Sequence, residues 1–327
     1  MTAWGLEKLH SFDSCKFGRI AKKLSDAGIV SAFRQPPALA DHILQEGHTK
    51  KYRKGLQQSA FVASVLELPI GWLPISIVES CVLSPMRLMS SGTVEAAKLA
   101  LTHGVGINLG GGFHHASADH GHGFCVYADI SFAVREIQKI KPDARIMIVD
   151  ADAHRGDGYE RDTFVTDVQE DTDNALPRKL RNVYILDAYT PDIFPGDDES
   201  NSAINASMYF TPDDTDAKFL RRFEKLLKKS VREFNPDIVL YNAGTDILDG
   251  DPLSGLSYSR EAVIKRDEVV FDVCGFSGRK GQTFIPVCMM LSGGYQKVTA
   301  DVIADSLANI HHKFNGALSS SWVRPDA

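Results

Sequence analysis

Asp152 and His154 are the pair of residues whose types and spacing most directly suggest chemistry. In an extended backbone, side chains two residues apart project from the same side, so a D-x-H pair can hold a cation between them. Asp246, which ends the segment Asn242–Asp246 (NAGTD), could complete a three-ligand site. Three protein ligands leave a position open for water and substrate. One imidazole and two carboxylates suit Zn²⁺ and would also accept Fe²⁺ or Co²⁺.

The same residues also have a plain structural explanation. Asp commonly caps a helix after a strand, and for a D-x-H pair alone, capping or surface polarity is the more common explanation. Two further acids, Asp150 and Asp157, lie close to the pair, and the adjacent histidines His114 and His115 are a second unusual feature. Together these residues favour a metal site over helix capping.

The His114–His115 pair is a candidate for acid-base chemistry, although adjacent histidines are usually surface residues. Three glycines, Gly110–Gly112, precede the pair and allow the backbone to approach a ligand closely. Asp150 and Asp157 are available to orient the two imidazoles. A histidine held by a carboxylate has a fixed tautomer and raised basicity, which is what a general base requires.

Tyr295 is a candidate for stabilising negative charge. It follows two glycines, Gly293 and Gly294, at the end of an apolar run. A phenol in that position can donate a hydrogen bond to the oxyanion of a tetrahedral intermediate. A tyrosine by itself is most often structural, so only its place beside the other candidates favours a catalytic role.

The elements that must position these residues alternate along the chain. Short apolar runs lie at Val105–Leu109, Arg145–Val149, Val183–Leu186, Ile238–Tyr241 and Phe284–Leu291. Helical patterns lie at Gly5–Ile29, Ser91–His103 (beginning near Gly92), Ala128–Ile140, Asp216–Phe234, Arg260–Val273 and Thr299–Ile310. Strands that alternate with helices indicate βαβ units and a mostly parallel central sheet flanked by helices. Strands buried on both faces explain the unbroken apolar runs.

The candidate residues all follow predicted strands. In doubly wound sheets, ligands bind beyond the carboxyl ends of the strands. Four predicted strand ends would bring three histidines, four aspartates and one tyrosine to the same edge: His114, His115, His154, Asp150, Asp152, Asp157, Asp246 and Tyr295. No linker divides the chain, so we expect one α/β domain over residues 1–327, with a core of about 5–310 and an acidic surface loop at about 165–181.

Composition excludes several classes of protein. The 36 Lys and Arg against 42 Asp and Glu give a net charge of −6, which is not the basic footprint of a protein that binds nucleic acid directly. The five cysteines form no C-x-x-C pair, which argues against a disulfide framework and suits a reducing compartment. Pro69, Pro74 and Glu79 interrupt the most apolar stretch, Leu66–Leu83, so it does not predict a membrane span. No signal peptide is visible at the start, so we expect a location in the nucleus, the cytoplasm or both.

Four segments resemble the signature motifs of the zinc-dependent histone deacetylases: GGGFHH, DADAHRGDG, YNAGTDILDGDPL and SGGYQK. The segments GLEKLHSFD and SGGYQK look like the class IV branch, the histone deacetylase 11 type. The resemblance runs from about Gly5 to Ile310. It implies a single arginase-like α/β domain around a parallel sheet, in agreement with the pattern of elements.

The resemblance also implies roles for individual residues. Asp152, His154 and Asp246 would be the zinc ligands. His115 would be the general base, His114 its electrostatic neighbour, Asp150 and Asp157 their carboxylate partners, and Tyr295 the oxyanion donor. The channel for an acyl-lysine chain would be lined by Gly123, Phe124, Phe194, Gly293 and Gly294. The family also binds K⁺, largely through backbone carbonyls near the zinc.

The sequence therefore predicts a metal-dependent hydrolase that removes acyl groups from lysine side chains of histones or other proteins. Two alternatives remain open. The same site could act on a small amide such as an acetylated polyamine, or the protein could bind acyl-lysine without turning it over. The sequence does not indicate the acyl-chain length, the protein substrate, the resident metal or the oligomeric state.

Overall fold

The computed structural model of the chain describes residues 13–164, 179–196, 198–279 and 282–319. Its centre is a six-stranded sheet in which all neighbouring strands are parallel. The strands are β1 (Val105–Asn108), β2 (Ile146–Asp150), β3 (Val183–Tyr189), β4 (Ala206–Tyr209), β5 (Ile238–Asn242) and β6 (Val287–Met290). Their order is β1-β6-β5-β2-β3-β4, so β2 and β5 are neighbours at the centre. After β2 the chain continues to β3 and to β4 at one edge, whereas after β5 it continues to β6, beside β1 at the other edge.

Helices cover both faces of the sheet. They are α1 (Lys16–Asp26), α2 (Asp41–Gly47), α3 (Lys50–Gly55), α4 (Ser59–Leu66), α5 (Ile75–Val78), α6 (Ser84–His103), α7 (Asp129–Ile140), α8 (Asp157–Phe164), α9 (Asp216–Phe234), α10 (Arg260–Val273) and α11 (Thr299–Lys313). A π-helical turn at Glu79–Leu83 joins α5 to α6, and a 3₁₀ turn at Glu199–Ala203 precedes β4. None of these helices is long and apolar enough to cross a membrane.

Alternate residues of the strands supply two separate cores, because successive side chains of a strand point to opposite faces. In β2, Met147 and Val149 join the core beneath α1, α9, α10 and α11. Ile146 and Ile148 join the core beneath α6 and α7. The side chains of all four are fully buried. Burial on both faces accounts for the continuous apolar run that predicted this strand.

The fold confirms a single α/β domain with a mostly parallel sheet. Helices α9 and α10 have the predicted bounds, and the five predicted strands lie within a few residues of β1, β2, β3, β5 and β6. Only the part of the Gly5–Ile29 prediction from residue 13 onward is described, and α1 ends at Asp26. Of the predicted acidic loop, residues 165–178 lie outside the described residues.

The predicted start of one helix near Gly92 is wrong, since α6 begins at Ser84 and Gly92 lies within it. Gly92 is there because the helix packs directly against the end of β1. A Cβ at this position would come within 2.6 Å of Asn108 Oδ1. The glycine therefore reflects close packing between helix and strand and not a helix start.

Candidate active site

Three predicted metal ligands converge beyond the carboxyl ends of β2 and β5. His154 Nδ1 lies 2.8 Å from Asp246 Oδ2 and 3.1 Å from Asp152 Oδ1. One donor atom from each residue lies within 4.8 Å of the others, as a shared cation requires. All three residues are buried, and both aspartates are fully so. The register of β2 beside β5, with Asp150 opposite Asn242, brings these loops together.

The surrounding contacts point the aspartates toward a common centre. Asp152 Oδ2 accepts hydrogen bonds from Gly293 N and Ser292 Oγ, both at 3.0 Å, and Asp246 Oδ1 accepts one from Ala153 N at 2.9 Å. A Cβ at Gly293 would come within 2.5 Å of Asp152 Oδ2, so this close approach depends on glycine.

The donor set fits a divalent cation. Burial and the neighbouring charge of Asp152 raise the pKa of Asp246 above its ordinary value, because two buried carboxylates repel each other. A cation between them would remove that repulsion. An imidazole with two carboxylates is a donor set suited to Zn²⁺ or Fe²⁺.

The two adjacent histidines are each held by one carboxylate. His114 Nδ1 lies 3.0 Å from Asp150 Oδ2, and His115 Nδ1 lies 2.8 Å from Asp157 Oδ1. Their ring centroids are 4.1 Å apart. The Nδ1 contacts leave Nε2 of His115 as the nitrogen that can act on a substrate.

The environments of these histidines push their pKa values in opposite directions. Burial disfavours a charged His114, but the charges of Asp150 and Asp152 outweigh it and raise the pKa of His114 to about 9. Burial and the positive charge of His114 lower the pKa of His115 to about 3, against the hydrogen bond with Asp157. The lowered pKa keeps the Nε2 lone pair of His115 unprotonated at neutral pH, and the raised pKa of His114 favours its charged form. The sequence predicts that a carboxylate partner raises the basicity of His115, but burial and the charge of His114 outweigh the hydrogen bond with Asp157.

Asp129, the first residue of α7, holds the glycine loop that carries the histidines. Its carboxylate accepts hydrogen bonds from Gly112 N and Phe113 N, both at 2.8 Å, and from Thr93 Oγ1 at 2.5 Å. Gly112 has a φ of +81°, a conformation that glycine adopts without strain. The loop conformation is thus determined by a residue 15 positions after His114.

Tyr295 lies at the same edge of the sheet, with its ring centroid 6.3 Å from that of His154. Its backbone N–H donates to Asp251 Oδ2 at 2.9 Å. Burial and the charges of Asp152 and Asp246 raise the pKa of its hydroxyl well above the ordinary value. The phenol therefore stays protonated and can donate a hydrogen bond.

A buried lysine supports the loop that carries Tyr295. Lys16 Nζ donates to the carbonyl oxygens of Ser292 at 2.6 Å, Gly293 at 3.0 Å and Gly294 at 3.4 Å. Burial lowers the pKa of Lys16 to about 8, while the charge of Asp152 opposes that change. Lys16 thus joins helix α1 to the active-site loop.

The residues predicted to line a channel have different positions. Phe124 lies beside Tyr295, with ring centroids 6.2 Å apart, and Phe194 lies beside His115 at 5.0 Å. Gly123 lies between His115 and Phe194, since a Cβ there would come within 2.6 Å of His115 Cδ2 and 2.7 Å of Phe194 Cε1. Gly293 lies over the ligand aspartates, whereas Gly294 packs against Thr245 and Thr299.

Several residues that support the site were not among those predicted from the sequence. They are Lys16, His122, Asp129, Asn242 and Arg266. Asn242 Nδ2 donates to both oxygens of Asp150, and Arg266 Nη1 donates to the carbonyls of Ala151 and Gly244. Asn242 stands at the end of an apolar run, as the predicted ligands do, so this position could have suggested it. The other four have no such local signal.

Comparison with known proteins identifies the family. Residues 10–311 match the histone deacetylase domain family. Histone deacetylase 2 of Arabidopsis thaliana is 41% identical over 309 residues, which cover 94% of this chain and 75% of that protein. Acetoin utilization protein AcuC of Staphylococcus aureus is 31% identical over 175 residues, 51% of this chain and 42% of that one.

Two solved structures share the fold. The HDA15 HD domain superposes with a TM-score of 0.70 at 17% identity, covering 97% of this chain and 85% of that one. An HDAC homologue complexed with SAHA superposes with a TM-score of 0.66 at 21% identity, covering 94% and 82%. The family match spans the described active site and all six strands. The chain therefore belongs to the histone deacetylase family.

Proposed function

We propose that this protein hydrolyses N6-acyl-lysine in proteins or peptides, in a metal-dependent reaction that releases acetyl or a longer acyl group. The observation that carries the proposal is the placement of His154 Nδ1 between the buried carboxylates of Asp152 and Asp246. His115 and Tyr295 both lie against the His154 ring, at 6.1 Å and 6.3 Å between centroids. A base and a hydrogen-bond donor therefore flank one candidate cation site.

The chain's own residues can carry the hydrolysis. A divalent cation held by Asp152, His154 and Asp246 would supply a Lewis acid for the amide carbonyl. His115 accepts a proton at Nε2 from the attacking water while Asp157 holds its Nδ1. Tyr295 donates a hydrogen bond to the carbonyl oxygen as negative charge develops there. The amide C–N bond then breaks, the histidine pair returns a proton to the lysine nitrogen, and a carboxylate and an amine are released.

The finer assignments belong to the same proposal. We infer Zn²⁺ as the resident metal, with Fe²⁺ also compatible, and K⁺ as a further ion held by backbone carbonyls. We assign the chain to the class IV branch on the segments GLEKLHSFD and SGGYQK. Phe124 and Phe194 would flank the acyl-lysine chain, because their rings lie beside Tyr295 and His115. The activity would be located in the nucleus, the cytoplasm or both, since all five cysteines are free thiols.

A kinetic comparison of substrates tests this function. Metal-analysed protein is incubated with acetyl-lysine peptides, long-chain acyl-lysine peptides and acetylated polyamines. We expect hydrolysis of at least one acyl-lysine peptide, loss of that activity after dialysis against a chelator, and its return on adding Zn²⁺ or Fe²⁺. Hydrolysis of the polyamines alone would replace the proposal with a small-amide hydrolase. Metal-loaded protein that binds acyl-lysine peptides without cleaving them would be a binding protein instead.

Replacing Tyr295 by phenylalanine tests the oxyanion role. We expect kcat to fall by about 10²–10³-fold, the loss that follows removal of one oxyanion donor. KM should change little, because phenylalanine keeps the ring contacts with Phe124 and His154 and the backbone bond to Asp251. The measurement is steady-state kinetics with metal content determined in parallel. Full activity in this variant would contradict the assignment.

A further inference from the structure

His122 makes a contact that the proposed mechanism does not use. Its Nε2 lies 2.8 Å from Asp157 Oδ2, while the other oxygen of Asp157 lies 2.8 Å from His115 Nδ1. The carboxylate of Asp157 is fully buried, and the side chain of His122 is 21% exposed. A single buried carboxylate therefore contacts the proposed base through one oxygen and a second, partly exposed imidazole through the other. The two imidazole rings also contact each other, with centroids 5.5 Å apart.

His115, His122 and Asp157 form a hydrogen-bonded cluster whose contacts are satisfied without a metal ion. His115, His122 and Asp157 place potential ligand atoms within 4.8 Å of one another. Arg161 Nε, however, also donates to Asp157 Oδ2, at 3.2 Å. A guanidinium on the oxygen that His122 contacts would repel a cation there. The geometry fits two N–H donors on Oδ2 and one on Oδ1, which uses most of the acceptor capacity of a carboxylate.

Packing fixes His122 in this position. Its ring centroid lies 5.0 Å from that of Phe194, which lies equally close to His115. On another side, the ring of exposed His120 lies 4.7 Å away. Gly123 leaves no room between His115 and Phe194 for a larger residue. His122 therefore has little freedom to turn away from Asp157.

We propose that His122 is a positioning residue for His115, acting through Asp157; this inference rests on the proposed function. By donating from Nε2, His122 holds the carboxylate in the orientation in which its other oxygen faces His115 Nδ1. That contact keeps the proton of His115 on Nδ1 and leaves Nε2 free to accept one. His122 itself touches neither the candidate metal ligands nor Tyr295 among the described contacts.

Three variants of His122 and one control test the role in metal-loaded protein. We expect His122→Ala to lower kcat by about 10–100-fold, the loss typical of removing a partner that orients an active-site residue, with little change in KM or metal content. His122→Gln should recover most of the rate, because its amide nitrogen reaches the position of the imidazole Nε2. His122→Asn, one carbon shorter, should behave like alanine. The control, His42→Ala, removes an exposed histidine on α2 and should retain the wild-type rate.

Two kinetic outcomes would overturn the proposal. One is a wild-type kcat in His122→Ala. The other is a glutamine variant no better than the asparagine variant although both fold and bind metal.

A proton NMR experiment separates this inference from the proposed function, since it needs no substrate. The hydrogen-bonded Nδ1 proton of His115 should give a strongly downfield resonance that disappears in His122→Ala and returns in His122→Gln. If the wild type cleaves no acyl-lysine peptide but this pattern appears, the proposed function fails and the positioning role stands. An unchanged resonance in His122→Ala refutes the positioning role.

Discussion

Replacement of Asp246 by alanine is expected to abolish both metal binding and turnover. Asp246 supplies one of three converging donors, so its loss leaves only Asp152 and His154 for a cation. Lewis-acid stabilisation by a metal is worth several kcal/mol, so we expect kcat/KM to fall by at least about 10³-fold. Metal per chain, measured by mass spectrometry, should fall from about one to near zero.

Thermal unfolding separates loss of the ligand from loss of the fold. Burial and repulsion by the charge of Asp152 raise the pKa of Asp246, so its ionised carboxylate destabilises the fold when no cation is bound. Alanine removes this repulsion, but it also removes the hydrogen bonds from Ala153 N and His154 Nδ1, so the metal-free variant should unfold close to the temperature of metal-free wild type. Added metal should raise the unfolding midpoint of wild type only, because a ligand stabilises the state that binds it.

The control is Asp249→Ala, which replaces an exposed residue close in sequence and should keep its metal. A metal-replete Asp246 variant would refute the ligand assignment.

Replacement of His115 by alanine is expected to have the second-largest effect, but with the metal retained. His115 is neutral, because burial and the charge of His114 lower its pKa to about 3. Loss of a positioned general base costs about 10²–10⁴-fold in kcat. The variant should bind a full equivalent of metal, since His115 Nδ1 contacts Asp157 and not a candidate ligand.

The readout is kcat together with metal content, and added imidazole should restore part of the rate. His312→Ala is the matched control, because His312 is exposed near the end of α11 and belongs to the other histidine doublet. Near-normal turnover in His115→Ala would mean that another residue is the general base. Loss of metal in this variant would instead mean that His115 stabilises the metal site.

The strands that bear the site were predictable, whereas the smaller elements were not. Strands β2, β5 and β6 are buried throughout and contain apolar runs followed by glycine or polar residues, which is a signal contained within one segment. Strand β1 is only partly buried, but its apolar residues Val105 and Ile107 precede the glycines at 110–112. Strand β4 has four residues, of which only Met208 is buried, so it leaves no such run. Helices α2 to α5 have four to eight residues each, too few to show a helical period clearly.

The candidate site residues that follow the strands were predictable from the sequence. The residues that hydrogen-bond to the active-site loops and hold them in place were not. Parallel strands end at one edge, so His114, His115, Asp152, His154 and Asp246 had to lie near one another. Lys16 reaches the loop of Tyr295 across 276 positions of sequence, and nothing in its own neighbourhood indicates that contact. Arg266 looks like a polar residue of an ordinary helix, although it is fully buried and donates to two active-site carbonyls.

By itself, the sequence determined which chemical groups lie at the carboxyl ends of the strands. Parallel strands all end at the same edge of the sheet, so the residues that follow each apolar run in the sequence are the ones that meet there. Only the tertiary structure decided which atoms face each other. His154 presents Nδ1 to two carboxylates, and Asp157 divides its oxygens between His115 and His122. Except for the contact between Asp152 and His154, these contacts join residues that are 35 to 92 positions apart in the sequence. They depend on strand register and on the packing of loops, and hydrogen bonds lose their strength within a few tenths of an ångström.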